Sequence, residues 1–166
     1  MLTKKVQEAL NEQLNAELFS AYLYLSMSAY FRASSLEGFA HWMRMQTEEE
    51  RGHAMKIYNY IQERNSRVVL KAIGAPTKEW KSPLAAIEAA YEHEQKITEL
   101  INDLVNLSIK AGDHATHIFL QWFVTEQVEE SAAVGGVLEK LRLVGETPSG
   151  LFIIDNELGK RTIAHG

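Results

Sequence analysis

The chain has 166 residues, of which 46% are hydrophobic, a length and composition typical of one domain with a sizeable core. Its 17 basic and 22 acidic residues give a net charge of -5, and the basic residues are scattered among acidic ones, which argues against a nucleic-acid surface. The absence of cysteine excludes disulfides and thiolate metal sites, so oxygen and imidazole are the metal ligands to expect.

The N-terminal segment carries charged residues every few positions. A signal peptide and a membrane span both need a continuous apolar stretch, so neither is expected in this segment. We therefore expect no membrane partner, and a cytoplasmic location by default.

Two long helices are predicted in the first part of the chain. Apolar residues recur with helical period from about residue 4 to residue 32, without a proline or glycine. Ser34 and Glu37 have the spacing of a capping box, which predicts a second helix from about residue 36 to residue 64. Because the link between the two helices is so short, they must fold back antiparallel.

Two more long helices follow a connecting segment. Glycine and proline residues within 65–81 break any helical pattern and predict a crossover connection. Ser82, followed by proline, predicts the start of a third helix that ends near residue 110. Asp113, after a glycine, predicts the start of a fourth helix that ends near residue 144.

A short fifth helix is predicted from Pro148 to about residue 160, with Thr147 as its cap. These elements describe an all-α fold, a four-helix bundle with one long crossover connection plus a short fifth C-terminal helix, in a single domain over residues 1–166. The Gly135–Gly136 pair lies inside the fourth helix, where it predicts either a kink or a close backbone approach.

Each long helix carries polar residues in the middle of its apolar stripe. Glu50 and His53 are three residues apart and share one face of the second helix. The other three helices contribute Glu17, Glu94, and the pair Gln127 and Glu130. Buried carboxylates without a partner are costly, and no lysine or arginine lies in these stripes, so a pair of divalent ions bridged by carboxylates is the favoured interpretation.

The alternatives differ from residue to residue. An isolated Glu-x-x-His pair is more often a solvated pair or a core histidine than a metal site, and a glutamine such as Gln127 is more often a core hydrogen-bonding group. Tyr24 lies on the stripe of Glu17 and is a core tyrosine, a hydrogen-bond donor to a ligand carboxylate, or an electron source. A second acidic group flanks the first: an exposed face is favoured for Glu48, whereas a third metal position is plausible for Glu49, Glu126 and Glu129.

The chain resembles the non-haem bacterial ferritins over essentially its whole length. The resemblance is carried by Glu17, Tyr24, the Glu49-Glu50-x-x-His53 run, Glu94, Trp122 and the run from Glu126 to Glu130. It implies that Glu17, Glu50 and His53 hold one iron and that Glu50, Glu94 and Glu130 hold the other, with Glu50 as the bridge. It also implies that Gln127 lies beside the second iron and that Glu49, Glu126, Glu129 and Glu130 form a third site. The two positions are expected to be unequal, since di-iron bundles commonly carry a second Glu-x-x-His where this chain has Gln127 and Glu130.

The function implied by this resemblance is iron storage and detoxification. A ferroxidase would oxidise Fe(II) with O2 or hydrogen peroxide at two irons per subunit, and a homo-oligomeric cage of 24 subunits would hold the ferric mineral. No haem is expected, because Arg51 stands where the haem-ligating methionine of bacterioferritins would be. The alternatives are a non-catalytic four-helix structural or interaction module, with protonated carboxylates, and a di-iron oxygenase.

The route of iron entry is left open by the resemblance. Animal ferritins line a threefold channel with carboxylates early in the fourth helix, and the corresponding positions here are His117 and Leu120. Asp113 and His114 are candidates for a different polar mouth.

Overall fold

Five helices account for all regular secondary structure in the computed structural model, which describes residues 1–145 and 147–163. They are α1 (Lys4–Ala33), α2 (Glu37–Glu63), α3 (Pro83–Lys110), α4 (His114–Val144) and α5 (Pro148–Leu158). Helix α1 packs against α2 and α3 packs against α4, the two hairpins meet through α1 and α3, and α5 packs against α2 and α4. The predicted all-α bundle with a short fifth helix is confirmed.

Three of the predicted side-chain caps are present. Ser82, Asp113 and Thr147 each accept a hydrogen bond at 3.1 Å from the backbone N–H three residues later. Such a bond satisfies one of the donors that the first turn of a helix leaves unpaired. These caps explain why α3, α4 and α5 begin where the sequence indicates.

The capping box predicted at Ser34 and Glu37 is wrong. Ser34 terminates α1, where its hydroxyl donates to the carbonyl of Tyr30, and it cannot also cap α2 across so short a turn. Leu36 precedes α2 without a side-chain cap. The carboxylate of Asp155 in α5 instead accepts a hydrogen bond from the N–H of Phe39 at 3.0 Å, so the start of α2 is capped from the C-terminal helix.

The segment from residue 64 to residue 82 is the predicted crossover. It runs alongside α1, held near the start of that helix by Asn11, whose side chain bonds the backbone of Arg67 and Val69. Further along, the hydroxyl of Ser26 donates to the carbonyl of Thr77 at 2.7 Å. The crossover therefore returns the chain along the bundle, which makes α3 run parallel to α2.

The apolar core is divided into two clusters by a layer of buried polar side chains. One cluster includes Tyr24, Met43 and Val134, and the other includes Leu14 and Ile97. The layer lies between them at mid-length of all four long helices, because each helix carries a polar residue at the same depth within its apolar stripe. This arrangement positions the candidate site.

The glycine pair of α4 produces a close approach at one of its two residues. A Cβ added at Gly135 would lie 3.4 Å from Cε2 of Tyr91 in α3, whereas one at Gly136 would meet no atom within 4 Å. None of the helices in the described ranges is both long and apolar enough to cross a membrane.

Candidate metal centre

Six side chains predicted from the sequence meet in the polar layer, and they come from four helices. Helix α1 contributes Glu17, α2 contributes Glu50 and His53, α3 contributes Glu94, and α4 contributes Gln127 and Glu130. All six are at most 5% exposed. The register of each helix decides this convergence, because these residues replace apolar ones at core-facing positions of the 3.6-residue period.

Two groups in this layer have the dimensions of a metal site. Glu17, Glu50 and His53 form one group, and Glu50, Glu94 and Glu130 form the other. Within each group the candidate ligand atoms lie within 4.8 Å of one another. Glu50 belongs to both, which is the position that a bridging carboxylate would occupy between two ions.

The imidazole of His53 contacts carboxylates through both nitrogens. Its Nδ1 lies 3.2 Å from Glu50 and 3.9 Å from Glu17, and its Nε2 lies 3.5 Å from Glu126. The ring of Trp122 packs edge-on against the imidazole with 5.3 Å between ring centroids. This packing restricts rotation of His53, so that Nδ1 faces the two glutamates.

The donor set fits a cation. One carboxylate oxygen of Glu17, Oε2, is buried and has no hydrogen-bond partner among the described residues. An unpaired buried acceptor is costly, and a metal ligand bond would satisfy it. In the described part of the chain, none of the four central glutamates forms an ion pair with a lysine or arginine.

Burial and mutual repulsion raise the pKa of three of these carboxyl groups. For Glu50 the largest cause is burial, followed by the charges of Glu17, Glu94 and Glu130, and its pKa lies well above the ordinary 4.5. Burial also raises the pKa of Glu94, although hydrogen bonds from neighbouring donors oppose the rise. Burial and then Glu94 raise the pKa of Glu130 to about 8. Without a cation, the centre therefore retains protons at neutral pH.

Neutral hydrogen-bond donors orient the carboxylates. The side-chain amides of Gln13, Gln46 and Gln127 donate to Glu17, Glu130 and Glu94, respectively, at 2.8, 2.9 and 3.1 Å. The hydroxyl of Tyr24 donates to the second oxygen of Glu94. Burial, followed by the charge of Glu94, raises the pKa of Tyr24 well above its ordinary value, so the phenol keeps the proton that it donates. Here Gln127 and Tyr24 both support Glu94.

Gln13 and Gln46 are site residues that the sequence analysis missed. Each lies four residues before a candidate ligand, Glu17 or Glu50, on the same helix face. That spacing was a detectable signal. It indicates a buried amide but does not reveal which carboxylate the amide contacts, and Gln46 in fact donates to Glu130 on another helix.

The residues suggested for a third position are only partly brought together. Glu126 approaches His53 and, with Glu130, forms a third metal-sized group that includes the imidazole. Glu129 is exposed. The carboxylate of Glu49 is bonded by the guanidinium of Arg161, with 2.6 Å between Nη2 and Oε2. The expected quartet of Glu49, Glu126, Glu129 and Glu130 therefore does not appear among the metal-sized groups of the described residues.

A cavity of about 450 Å³ opens beside the centre, between α2 and α4. Its lining includes His53, Trp122 and the carboxylates of Glu49, Glu126 and Glu129. The amine of Lys56 lies 3.8 Å above the ring of Trp122 at the same cavity. This acidic opening leads to the nitrogen of His53 that faces away from Glu50.

The positions considered for iron entry early in α4 have different surroundings. Leu120 is fully buried in the core. Asp113 caps α4 and accepts two hydrogen bonds from the guanidinium of Arg64, at 3.0 and 3.3 Å. The carboxylate of Asp113 is therefore engaged in holding the α3–α4 turn to the end of α2, and His114 beside it is exposed.

Comparisons with known proteins agree with this geometry. The family described as Ferritin, ferritin-like domain, matches residues 7–144. The chain is 42% identical over 161 residues to a bacterial non-heme ferritin of Bacteroides fragilis, with 97% of this chain and 100% of the relative covered. It is 43% identical over 155 residues to a bacterial non-heme ferritin of Campylobacter jejuni, with 93% of each covered. Among solved structures, an open pore ferritin from Archaeoglobus fulgidus matches with a TM-score of 0.96 and 50% identity, over 98% of this chain and 100% of that one.

Proposed function

The chain belongs to the ferritin family, and from this we propose that it stores iron after oxidising Fe(II) at the buried centre. The observation that carries the proposal is the pair of metal-sized groups that share Glu50 in a layer of buried glutamates. Carboxylate and imidazole ligands suit iron, and carboxylates stabilise Fe(III) more than Fe(II). Coordination of Fe(II) therefore favours its oxidation.

Glu17, Glu50 and His53 are the proposed ligands of one iron, and Glu50, Glu94 and Glu130 those of the other. Two adjacent Fe(II) ions each lose one electron, and O2 gains both electrons together with two protons from solvent to give hydrogen peroxide. Peroxide is an alternative oxidant at the same centre. Gln127 and Tyr24 hold Glu94 in position through hydrogen bonds, and Tyr24 is in addition a candidate electron donor.

The opening between α2 and α4 is the proposed route of iron to and from the centre. Glu126 and Glu129 line this opening, and the carboxylate of Glu126 lies 3.5 Å from Nε2 of His53. With Glu49 and Glu130, these residues are the proposed ligands of a third iron. Carboxylates along a narrow opening raise the local concentration of a divalent cation.

We further propose that residues 1–166 form one ferritin-like domain and that 24 copies assemble in the cytoplasm into a cage that holds the ferric mineral. The structural similarity to ferritins supports assembly of identical chains. Native mass and iron content per subunit, measured on the same iron-loaded sample, test this part of the proposal. A small monomer or dimer that retains two irons per chain would contradict the cage.

Anaerobic Fe(II) titration followed by exposure to air tests the centre. We expect two tightly bound irons per subunit and oxidation faster than in buffer, and we expect Glu50→Ala to lose both. Glu37→Ala is the matched control, because Glu37 lies at the start of the same helix, outside the opening, and forms an exposed ion pair with Arg32. Oxidation at the parent's rate by Glu50→Ala would refute the proposal, and the absence of saturable binding in the parent would instead indicate a structural or interaction module.

A further inference from the structure

Arg161 lies in the segment after α5, and its side chain contacts residues beside the centre. Its Nη2 donates to Glu49 Oε2 at 2.6 Å and to Gln46 Oε1 at 2.5 Å, and its Nη1 donates to the carbonyl of Trp42 at 3.3 Å. The guanidinium carbon lies 4.3 Å from the centroid of the Trp42 ring. Three acceptors and one aromatic face therefore hold the same cation, whose side chain is 17% exposed.

The backbone around Arg161 is also anchored to α2. The carbonyl of Arg161 lies 2.7 Å from Nε2 of His41. Six residues earlier, α5 contacts the start of α2 so closely that a Cβ at Gly38 would lie 1.7 Å from the carbonyl oxygen of Asp155. The guanidinium is thus placed by a docked helix end and not by a free tail.

The contacts of Arg161 lead to two of the proposed ligands of the third iron. One is Glu49, which Arg161 bonds directly. The other is Glu130, because the side chain of Gln46 accepts from Arg161 through its oxygen and donates to Glu130 Oε2 through its nitrogen. An arginine remains charged at every pH that a folded protein tolerates, so this positive charge cannot be lost by deprotonation.

We infer that Arg161 is a resident cation at the third position, which a third iron must displace from Glu49 before it can bind. Arg161 is a positioning residue: it acts through Glu49 and does not contact the two central irons. The inference rests on the proposed function, since it presumes iron at the centre. A charge-assisted hydrogen bond in a partly buried site is strong enough to lower the affinity of Glu49 for a competing ion about tenfold to a hundredfold. The centre therefore fills with two irons first.

Isothermal titration calorimetry of the assembled, iron-free protein with Fe(II) under anaerobic conditions measures the affinity for each iron and tests this inference. In Arg161→Gln we expect the third iron to bind about tenfold or more tightly than in the parent. Any change in the first two affinities should be smaller, because Arg161 reaches the second-iron ligand Glu130 only through Gln46. Arg161→Lys restores a positive charge beside Glu49 and should return the third affinity toward that of the parent. If Arg161 merely oriented Glu49 for iron, Arg161→Gln would weaken the third iron, and that result, or an unchanged affinity, would overturn the inference.

Arg142→Gln is the matched control. It removes the same charge from an exposed residue that pairs with Glu88, and it should leave all three affinities unchanged. If Arg142→Gln tightened the third iron as much as Arg161→Gln, a general charge effect would replace the inference. Failure of the parent to bind the first two irons would instead refute the proposed function.

Crystals of the unmodified protein soaked anaerobically in Fe(II) give a test that does not depend on a variant folding. Anomalous density locates each iron, and the guanidinium position is read from the same map. We expect the Arg161–Glu49 bond to be intact when two irons are bound and broken when the third is present. A third iron on Glu49 with that bond intact would overturn the inference.

Discussion

Replacing Glu50 by glutamine should stabilise the metal-free protein while abolishing its iron binding. The substitution keeps the shape of the side chain and removes its charge. In the metal-free fold, burial and then the neighbouring Glu17, Glu94 and Glu130 raise the pKa of Glu50 well above 4.5. The folded protein therefore keeps the proton of Glu50 to a higher pH than the unfolded chain does.

The magnitude follows from proton linkage. A carboxyl group whose pKa is raised in the folded state does not destabilise the protein below pH 4.5, where it is protonated in both states. As the pH rises from 4.5 toward the folded pKa, the unfolded chain releases the proton and the free energy of unfolding falls. Within that range the free energy of unfolding falls by about 1.4 kcal/mol for each pH unit, because the unfolded chain has released a proton that the folded protein keeps. Glutamine does not titrate, so metal-free Glu50→Gln should unfold at a higher temperature than the parent, by about 3–6 °C for each pH unit above 4.5 within that range.

Thermal unfolding with a chelator present, from pH 4.5 to 7.5 and at equal subunit concentration, is the assay. The difference between Glu50→Gln and the parent should be small near pH 4.5 and should grow with pH. Glu48→Gln, which changes a half-buried residue that pairs with Arg51 on the same helix, should stay within ~0.5 kcal/mol of the parent throughout.

Fe(II) should reverse the order of stability. Anaerobic iron binds only the folded parent and raises its unfolding temperature by mass action, whereas Glu50→Gln has lost the shared ligand and should respond weakly. A metal-free Glu50→Gln that is less stable than the parent at pH 7, or a stability difference that does not vary with pH, would refute the reasoning about buried charge.

Two further predictions concern a hydrogen bond at the centre and the contact between α2 and α5. Tyr24→Phe should lower the free energy of unfolding by about 1–2 kcal/mol, since a buried oxygen of Glu94 loses its hydrogen-bond donor. It should also slow iron oxidation. Denaturant unfolding measures the first effect and stopped-flow absorbance the second, and an unchanged stability would contradict the assigned bond. Gly38→Ala should destabilise the protein by about 3 kcal/mol or more, because the new methyl group would lie 1.7 Å from the carbonyl oxygen of Asp155. On the same helix, the methyl group of Gly52→Ala would meet no atom within 4 Å, so this substitution should stabilise the protein by about 0.5–1 kcal/mol. Equal effects of the two alanines in denaturant unfolding would show that the contact between α2 and α5 is not close.

The sequence alone determined the helices and the depth of the polar layer. Helical periodicity is a local property, so the stripe that carries Glu17, Glu50 or Glu94 can be traced without knowing what packs against it. Caps such as Ser82 and Asp113 act on the N–H groups of their own first turn, and for this reason they were also predictable. The same local reasoning failed at the start of α2, where the capping acceptor is Asp155 of α5 and not Ser34.

Only the tertiary structure decided how the layer is supported and what surrounds it. Gln46 donates to Glu130, 84 positions away along the chain, and Asp155 caps α2 from a distance of 116 positions. Arg161 lies outside every amphipathic stripe, and its contact with Glu49 arises because α5 docks on α2 and directs the following residues toward the centre. Periodicity specifies which face of a helix is buried, but the pairing of polar atoms across that face depends on the packing of distant segments. The sequence therefore located four buried glutamates, and the fold determined which donors orient them and which cation lies beside them.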